Sequence, residues 1–264
     1  MLSASGLRVD GRRAHEVRRV HARVGVSPHA DGSALVDVGG TRVLALAHGP
    51  RRATRRAPVA GSSAGVGIGD AAESATLTVE YTFAPFANAG ARRRRTACDR
   101  AIAEGTGALR GVFSSAVCLH LYPRSEIALV IHVLAADGGA AGALAAAVNA
   151  GALAIADAGI AMSDIPAAGV ALWTPSALLL DPCGAEVGGA AGAPTALVAL
   201  LPLSDGVVHA AVDARLPGGD GAALASLLES AAAAARGVHQ VLRAALREAA
   251  GEKAAARAGR GGVL

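Results

Sequence analysis

Aromatic side chains are nearly absent from this 264-residue chain: one Trp, two Tyr and three Phe, 2% of all residues. A core must then be built from Ala, Val and Leu. Each buries little area, so neighbouring backbones have to approach closely. Cysteine is scarce as well. Cys98, Cys118 and Cys183 are scattered with no CxxC pair, which argues against a disulfide framework and predicts a reducing, intracellular setting. The eight histidines show no HExxH or similar ligand spacing, so no metal site is expected. No apolar run reaches bilayer-spanning length free of charge and glycine, and no membrane partner is expected. Near the N-terminus, Arg8, Asp10, Arg12 and Arg13 stand where a signal peptide would be apolar. Charge of one sign is in only modest excess, +4, so its distribution matters more than its sum.

Ala and Gly are abundant, and they concentrate around a central unit. The apolar run Ile127-Ala128-Leu129-Val130-Ile131 reads as a buried strand leading into Asp137-Gly138-Gly139. A helix over residues 140–158 follows, with Leu144, Val148, Ala152 and Ile155 at helical spacing and Gly159 as its left-handed stop. Such a turn either joins strand to helix and nothing more, or converges backbone N–H groups on an anion at the helix N-terminus.

Around this unit the chain alternates strand and helix signals. Residues 7–19 read as a charged surface arm and residues 20–26 as a strand. Residues 34–38 and 41–46 flank Gly39-Gly40, a hairpin signal, with Gly49-Pro50 ending it. Residues 51–70 read as a loop that opens on Arg51, Arg52, Arg55 and Arg56. Its Gly65-Val66-Gly67-Ile68-Gly69 lacks the strand and helix a dinucleotide fingerprint needs. Further strands are expected over residues 76–83, 169–173, 178–180, 196–201 and 207–211, with helices over 98–117 and from Asp220. Gly188 to Ala193 repeats Gly138 to Ala143 letter for letter, but Pro194 follows, so it reads as loop. Trp173, on a strand, reads as core rather than as a base-stacking platform. The pattern is α+β. It gives one domain over residues 20–250, with pseudo-similar βαβ halves over about 20–160 and 161–250, a 1–19 arm and a disordered 251–264 tail.

Several segments taken together are similar to the RNase PH family. They are Gly6-Leu7-Arg8-Val9-Asp10-Gly11-Arg12-Arg13, Asp31-Gly32-Ser33-Ala34, Gly40-Thr41-Arg42-Val43, Asp99-Arg100, Tyr122-Pro123-Arg124-Ser125, Ala136-Asp137-Gly138-Gly139, Asp157-Ala158-Gly159-Ile160 and Asp213-Ala214-Arg215-Leu216. Their order and spacing, over about residues 7–248, carry the likeness. The resemblance implies the RNase PH-like (ribosomal protein S5 domain 2-like) fold and a place in an exosome ring. Implied with it are RNA, other RNase PH-like ring subunits, S1/KH-domain cap subunits and a separate hydrolytic nuclease as partners. It also implies a location in the nucleus, nucleolus included, and the cytoplasm. Active members cut RNA from its 3′ end with inorganic phosphate and release nucleoside diphosphates.

The resemblance also suggests roles for residues. Arg92, Arg93, Arg94 and Arg95 read as an RNA grip, with Arg92 and Arg94 matching the RNA-contacting pair; a solvated patch is the alternative. Arg51 and Arg52 lie in a loop that contacts RNA in the family, or are a basic loop with no such role. Gly138, Gly139, Ala140 and Ala141 match the phosphate-site motif, but Ala140 and Ala141 replace a hydroxyl residue and an arginine. Losing such charged donors, each worth roughly 1.5–3 kcal/mol, weakens phosphate binding severely. Asp181 matches the first catalytic carboxylate, or is a turn residue before Pro182. The second position is Val187, with Glu186 one place out of register. The expectation is an RNA-binding, catalytically inert ring subunit with no cofactor; phosphate and Mg would be required only if it were active. The rivals are an active phosphorolytic 3′–5′ exoribonuclease and a purely structural ring component.

Overall fold

The computed structural model describes residues 7–52, 74–87, 99–190, 192–214 and 221–261. The first half forms a five-stranded sheet from β1 (Val20–Val24), β2 (Gly32–Val38), β3 (Thr41–Arg52), β4 (Thr76–Phe83) and β5 (Ser125–Ala135). Their order is β1-β2-β3-β5-β4. The β2–β3 hairpin closes around Gly39-Gly40, where Val38 pairs with Thr41. β4 and β5 are parallel, and the connection between them runs through α1 (Arg100–Ala116), capped by the Asp99 side chain on the Ala101 N–H. Gly49-Pro50 does not end β3 as the sequence suggests. A register shift between His48 and Arg51 absorbs the proline, and the ladder resumes with Arg51 opposite Glu126.

The second half forms a four-stranded sheet of β6 (Ala167–Trp173), β7 (Leu178–Leu180), β8 (Thr195–Leu201) and β9 (Gly206–Val212), in the order β7-β6-β8-β9. Its pairs are all antiparallel, so the parallel βαβ unit belongs to the first half. A short helix, α3 (Gly184–Gly189), takes in part of the glycine-alanine repeat read as loop. Glu186 drives this. As the third residue of the helix, its side chain accepts from the Cys183 N–H at 3.0 Å, which caps the turn.

The helix after the glycine turn, α2 (Gly139–Asp157), lies between the two sheets and touches both. It is long and apolar enough to cross a bilayer, yet 78% of its apolar window is buried inside the protein, as befits a core helix. Small residues make this possible. A Cβ on Gly151 would lie 2.5 Å from Phe113 of α1. Asn149, buried in the same helix, donates to the Ala168 carbonyl (3.2 Å) and accepts from its N–H (2.9 Å), tying α2 to β6. Gly159 is left-handed at φ 72°, as its position after the helix requires.

The last helix, α4 (Gly221–Gly261), covers the outer face of the second sheet. It runs past Gly251, so the disordered tail expected from residue 251 is helical as far as Gly261. Trp173 is half-buried against the cluster between this sheet and α4, in keeping with a packing role. Residues 7–19 are mostly exposed, as a surface arm would be, but two buried arginines pin the segment to the body of the protein. Arg8 and Arg18 are only 3% and 6% exposed.

The α4 packing can be tested with one glycine pair. A Cβ on Gly169 would fall 2.5 Å from the Ala235 nitrogen and 2.6 Å from the Ala231 oxygen, both backbone. Gly169→Ala must therefore lift α4 from the sheet and is expected to cost about 2 kcal/mol. Gly111, in α1, has nothing within 4 Å of such a Cβ among the described residues. Gly111→Ala should stabilise by roughly 0.5–1 kcal/mol through helix propensity. Urea-unfolding midpoints of the two variants check both signs.

Candidate functional site

The glycine turn joins β5 to α2 and is locked from three sides. Thr41 receives the Asp137 N–H (3.0 Å) and returns a hydrogen bond from its hydroxyl to the Asp137 carbonyl. The Asp137 carboxylate accepts from the Gly184 N–H at the start of α3, at 2.5 Å. Gly138 and Gly139 adopt φ values of 87° and 75°, which favour glycine. Gly138 needs to be glycine for a second reason: a Cβ there would stand 2.7 Å from the Pro182 carbonyl. The turn and the segment from Asp181 to Val187, far apart in sequence, are thus in direct contact.

Two arginines from the N-terminal segment hold this junction. Arg18 forms a fork on Asp181, Nε to Oδ2 at 2.9 Å and Nη2 to Oδ1 at 2.6 Å, and its backbone N–H adds a third bond at 3.1 Å. Its Nη1 reaches Asp137 at 3.2 Å. Burial alone would lower the Arg18 pKa. The hydrogen bonds and charge of Asp181, with the charge of Asp137 behind them, more than offset that and raise it. Arg8 makes a second fork on Glu186, Nε to Oε1 at 2.7 Å and Nη2 to Oε2. It also donates to the carbonyls of Leu180 (2.5 Å) and Asp181 (3.2 Å). Both side chains of the Arg8–Glu186 pair are fully buried. Burial pushes the Glu186 carboxyl up, but Arg8 and the Cys183 N–H reverse this and bring it down to about 2.

Beside the turn, a cleft of about 440 Å³ opens between α1, β9 and the first turn of α2. Gly139, Ala140 and Ala141 form one wall, and Tyr81, Leu144 and Leu197 contribute apolar surface. Glu104, His209 and Asp213 add two carboxyls and an imidazole to the lining. Burial raises the Asp213 carboxyl above its ordinary value. Asp181 and Glu186 do not line the cleft; they face the N-terminal arginines instead. Val187 lies near the turn, its Cγ1 3.5 Å from where a Cβ on Gly139 would be.

The remaining candidates fall elsewhere. Arg51 and Arg52 pair with Glu126 and Ser125 at the start of β5, whereas the glycine turn follows its far end. The length of β5 separates them, roughly 30 Å. Arg51 also donates to Asp31 at 3.2 Å. Arg92, Arg93, Arg94 and Arg95 lie outside the described residues. The donor set does not suit Mg. Each of the two carboxylates already faces a guanidinium, Val187 offers no ligand, and among the described residues no cluster of three His, Cys, Asp or Glu could hold a metal.

Sequence reasoning missed Arg8 and Arg18 as site residues, and it missed the cleft-lining Tyr81, Glu104, His209 and Asp213. The only sequence signal for Arg8 and Asp213 was their presence in the motifs that carry the family resemblance.

Two sheets sandwiching a small-residue helix, with a glycine turn at its N-terminus set against an acidic segment, define an RNase PH-type protein. A profile of the 3′ exoribonuclease family, domain 1, matches residues 16–161. The chain belongs to that family, the RNase PH family. Within it, the chain is similar to the exosome complex component RRP41 of Bos taurus and of Homo sapiens, each 40% identical over 248 residues, 94% of this chain and 94% of the relative. It is 32% identical to the exosome complex component Rrp41 of Thermococcus gammatolerans over 249 residues, 94% of this chain and 91% of the relative. Among solved structures it shares the fold of rice Rrp46, with a TM-score of 0.72 at 21% identity, covering 90% of this chain and 100% of that one. It shares it equally with an Archaeoglobus fulgidus exosome structure with RNA bound to the active site, with a TM-score of 0.71 at 21% identity, covering 89% and 92%.

The low pKa of Glu186 sets a pH signature. A carboxyl held at about 2 when folded and 4.5 otherwise stabilises the fold fully above pH 4.5. That contribution, roughly 3 kcal/mol, is lost as pH falls from 4.5 to 2. Glu186→Gln should be less stable than the wild type at pH 7, and the gap should close across this window. Thermal melts of both proteins at pH 7, 4 and 2.5 check it.

Proposed function

We propose that this chain is an Rrp41-type ring subunit of an RNA exosome, one that binds RNA and does not itself cleave it. The ring place is supported by 40% identity to RRP41 exosome components over nearly the full length of both chains. The observation that carries the inert reading is the wall of the cleft. Where phosphate would have to sit, the first turn of α2 offers Gly139, Ala140 and Ala141, and among the described residues the lining contains no Arg, Lys, Ser or Thr. A phosphate leaving water needs compensating donors. Helix amides with their dipole contribute about 0.3–1 kcal/mol at an exposed end, well short of an arginine fork. The two carboxylates of the acidic segment, Asp181 and Glu186, are held in ion pairs by Arg18 and Arg8. A general base must reach the proton it takes, and these are turned to the N-terminal segment.

RNA contact rests on the four successive arginines Arg92 to Arg95, which precede α1 in the sequence. In the ring, the neighbours are other RNase PH-like subunits and S1/KH-domain caps. A separate hydrolytic nuclease performs the cutting, in nucleus and cytoplasm. The subunit itself needs no cofactor.

The test uses the assembled ring, free of hydrolytic nuclease, with labelled RNA. No phosphate-dependent release of nucleoside diphosphates is expected above background. Arg92→Ala with Arg94→Ala should weaken binding to all sequences alike and reduce the salt slope by roughly 0.7 for each RNA phosphate that is no longer neutralised. Phosphate-dependent diphosphate release that disappears in Asp181→Ala overturns the inert reading. Unchanged affinity and slope in the double variant overturn the arginine grip.

A further inference from the structure

The outer side of a β-sheet's last strand accepts a further strand unless something deters or covers it. Two such edges of this molecule are managed. β7 receives the N-terminal segment, the Leu180 N–H donating to the Ala14 carbonyl at 2.9 Å. β1 carries the exposed His21 and Arg23, and α4 lies beside it. β9 is different. It is the last strand of its sheet, and among the described residues it pairs with β8 alone. Its sequence, Gly206-Val207-Val208-His209-Ala210-Ala211-Val212, has no Lys, Arg, Asp, Glu or Pro to deter pairing. Among the described residues no backbone hydrogen bond reaches its outer side. Val207 is 62% exposed and Val212 37%.

One bond fixes the direction of the backbone groups near the end of β9. The Asp213 N–H donates to the Thr195 carbonyl of β8 at 3.0 Å. Antiparallel pairing alternates, so Ala211 also turns its N–H and carbonyl to β8, while Ala210 and Val212 turn theirs to the open edge. An antiparallel strand added there from an identical chain is related to β9 by a two-fold axis at Ala210, Ala211 or Val212. Only the axis at Ala211 sets His209 of each copy directly opposite Asp213 of the other. His209, Ala211 and Asp213 line the same cleft, so their side chains share one face. Asp213 lacks a cation within its own chain: burial raises its carboxyl above the ordinary value and no opposing charge offsets that. Directly opposed cross-strand residues have Cβ atoms about 4.5–5.5 Å apart, close enough for an imidazole to meet a carboxylate.

From this we propose that β9 is an interface between two copies of this chain, paired antiparallel about Ala211, so that the four-stranded sheet runs on into that of the second copy. Ala210 of each chain exchanges both its backbone hydrogen bonds with Val212 of the other. The small side chain of Ala211 lets the strands meet closely on the axis, and His209 faces Asp213 on either side of it. This match of imidazole to carboxyl is what selects an identical partner over an unrelated strand. The inference goes beyond the ring reading and rests on neither RNA binding nor the loss of phosphorolysis.

The test is sedimentation equilibrium of the full-length protein at pH 7, from about 1 to 100 µM, a range that populates any association stronger than the millimolar. The mass should rise with concentration to twice the 25.8 kDa of one chain. Ala210→Pro removes an N–H that β8 does not use, so the melting temperature should hold while the mass stays at that of one chain. Asp213→Lys and His209→Asp should each weaken dimerisation about tenfold, because like groups then stand directly opposite. The two changes together exchange the charges and should restore it, which tests the register even if the proline variant fails to fold. The proposal is overturned if the wild type keeps the mass of one chain at about 100 µM, if folded Ala210→Pro still dimerises, or if the charge exchange does not restore what the single changes remove. None of these results decides the ring reading, which is tested in the assembled ring.

Discussion

The Arg18 guanidinium is the point on which the two halves of the molecule meet. Its side chain is 5% exposed, and it holds Asp181 of the second half and Asp137 of the first at once. Removing one partner of such a buried group leaves an uncompensated charge, at a cost of about 3–5 kcal/mol. Around it the fit is close. A Cβ on Gly40 would stand 2.9 Å from the Asp137 carboxylate, one on Gly184 2.5 Å from it, and one on Gly39 2.6 Å from the Arg18 side chain. The glycine turn, the acidic segment and the N-terminal segment therefore form a single ion-paired joint. Arg8 and Glu186 extend that joint to α3.

This joint gives the acidic segment a structural role in the fold. Asp181 and Glu186 stabilise the packing of the second half against the first, and both demand their arginines whether or not any reaction occurs. Ala140, Ala141 and Val187 stand outside this ion-paired joint.

Much of the architecture was legible in the sequence because its signals are local. Gly39-Gly40 between two alternating runs gave the hairpin, and the Ala-rich run after Gly139 gave the central helix, since both follow from periodicity over a few residues. What was not legible depends on partners far away. Arg8 and Arg18 meet their carboxylates across 178 and 163 residues, and no spacing rule distinguishes such arginines from solvated ones. Gly49-Pro50 looked like a strand end because proline lacks an N–H, yet a shift in register let β3 continue. The short helix at Gly184 was hidden in low-complexity sequence, and its one local clue was Glu186 three residues after Cys183. Of the site, the glycine turn was readable and so were the positions Asp181 and Glu186. Their role was not, because it depends on which way a carboxylate faces.

The central claim is that Asp181 serves the joint rather than chemistry. A double-mutant cycle with Arg18→Gln and Asp181→Asn, read by urea unfolding at pH 7, tests it most directly. Each single change should destabilise by about 3 kcal/mol or more, and the pair should cost much less than the sum, a coupling of at least about 1–3 kcal/mol. Single variants as stable as the wild type, with additive effects in the pair, would contradict the account and leave Asp181 free for catalysis.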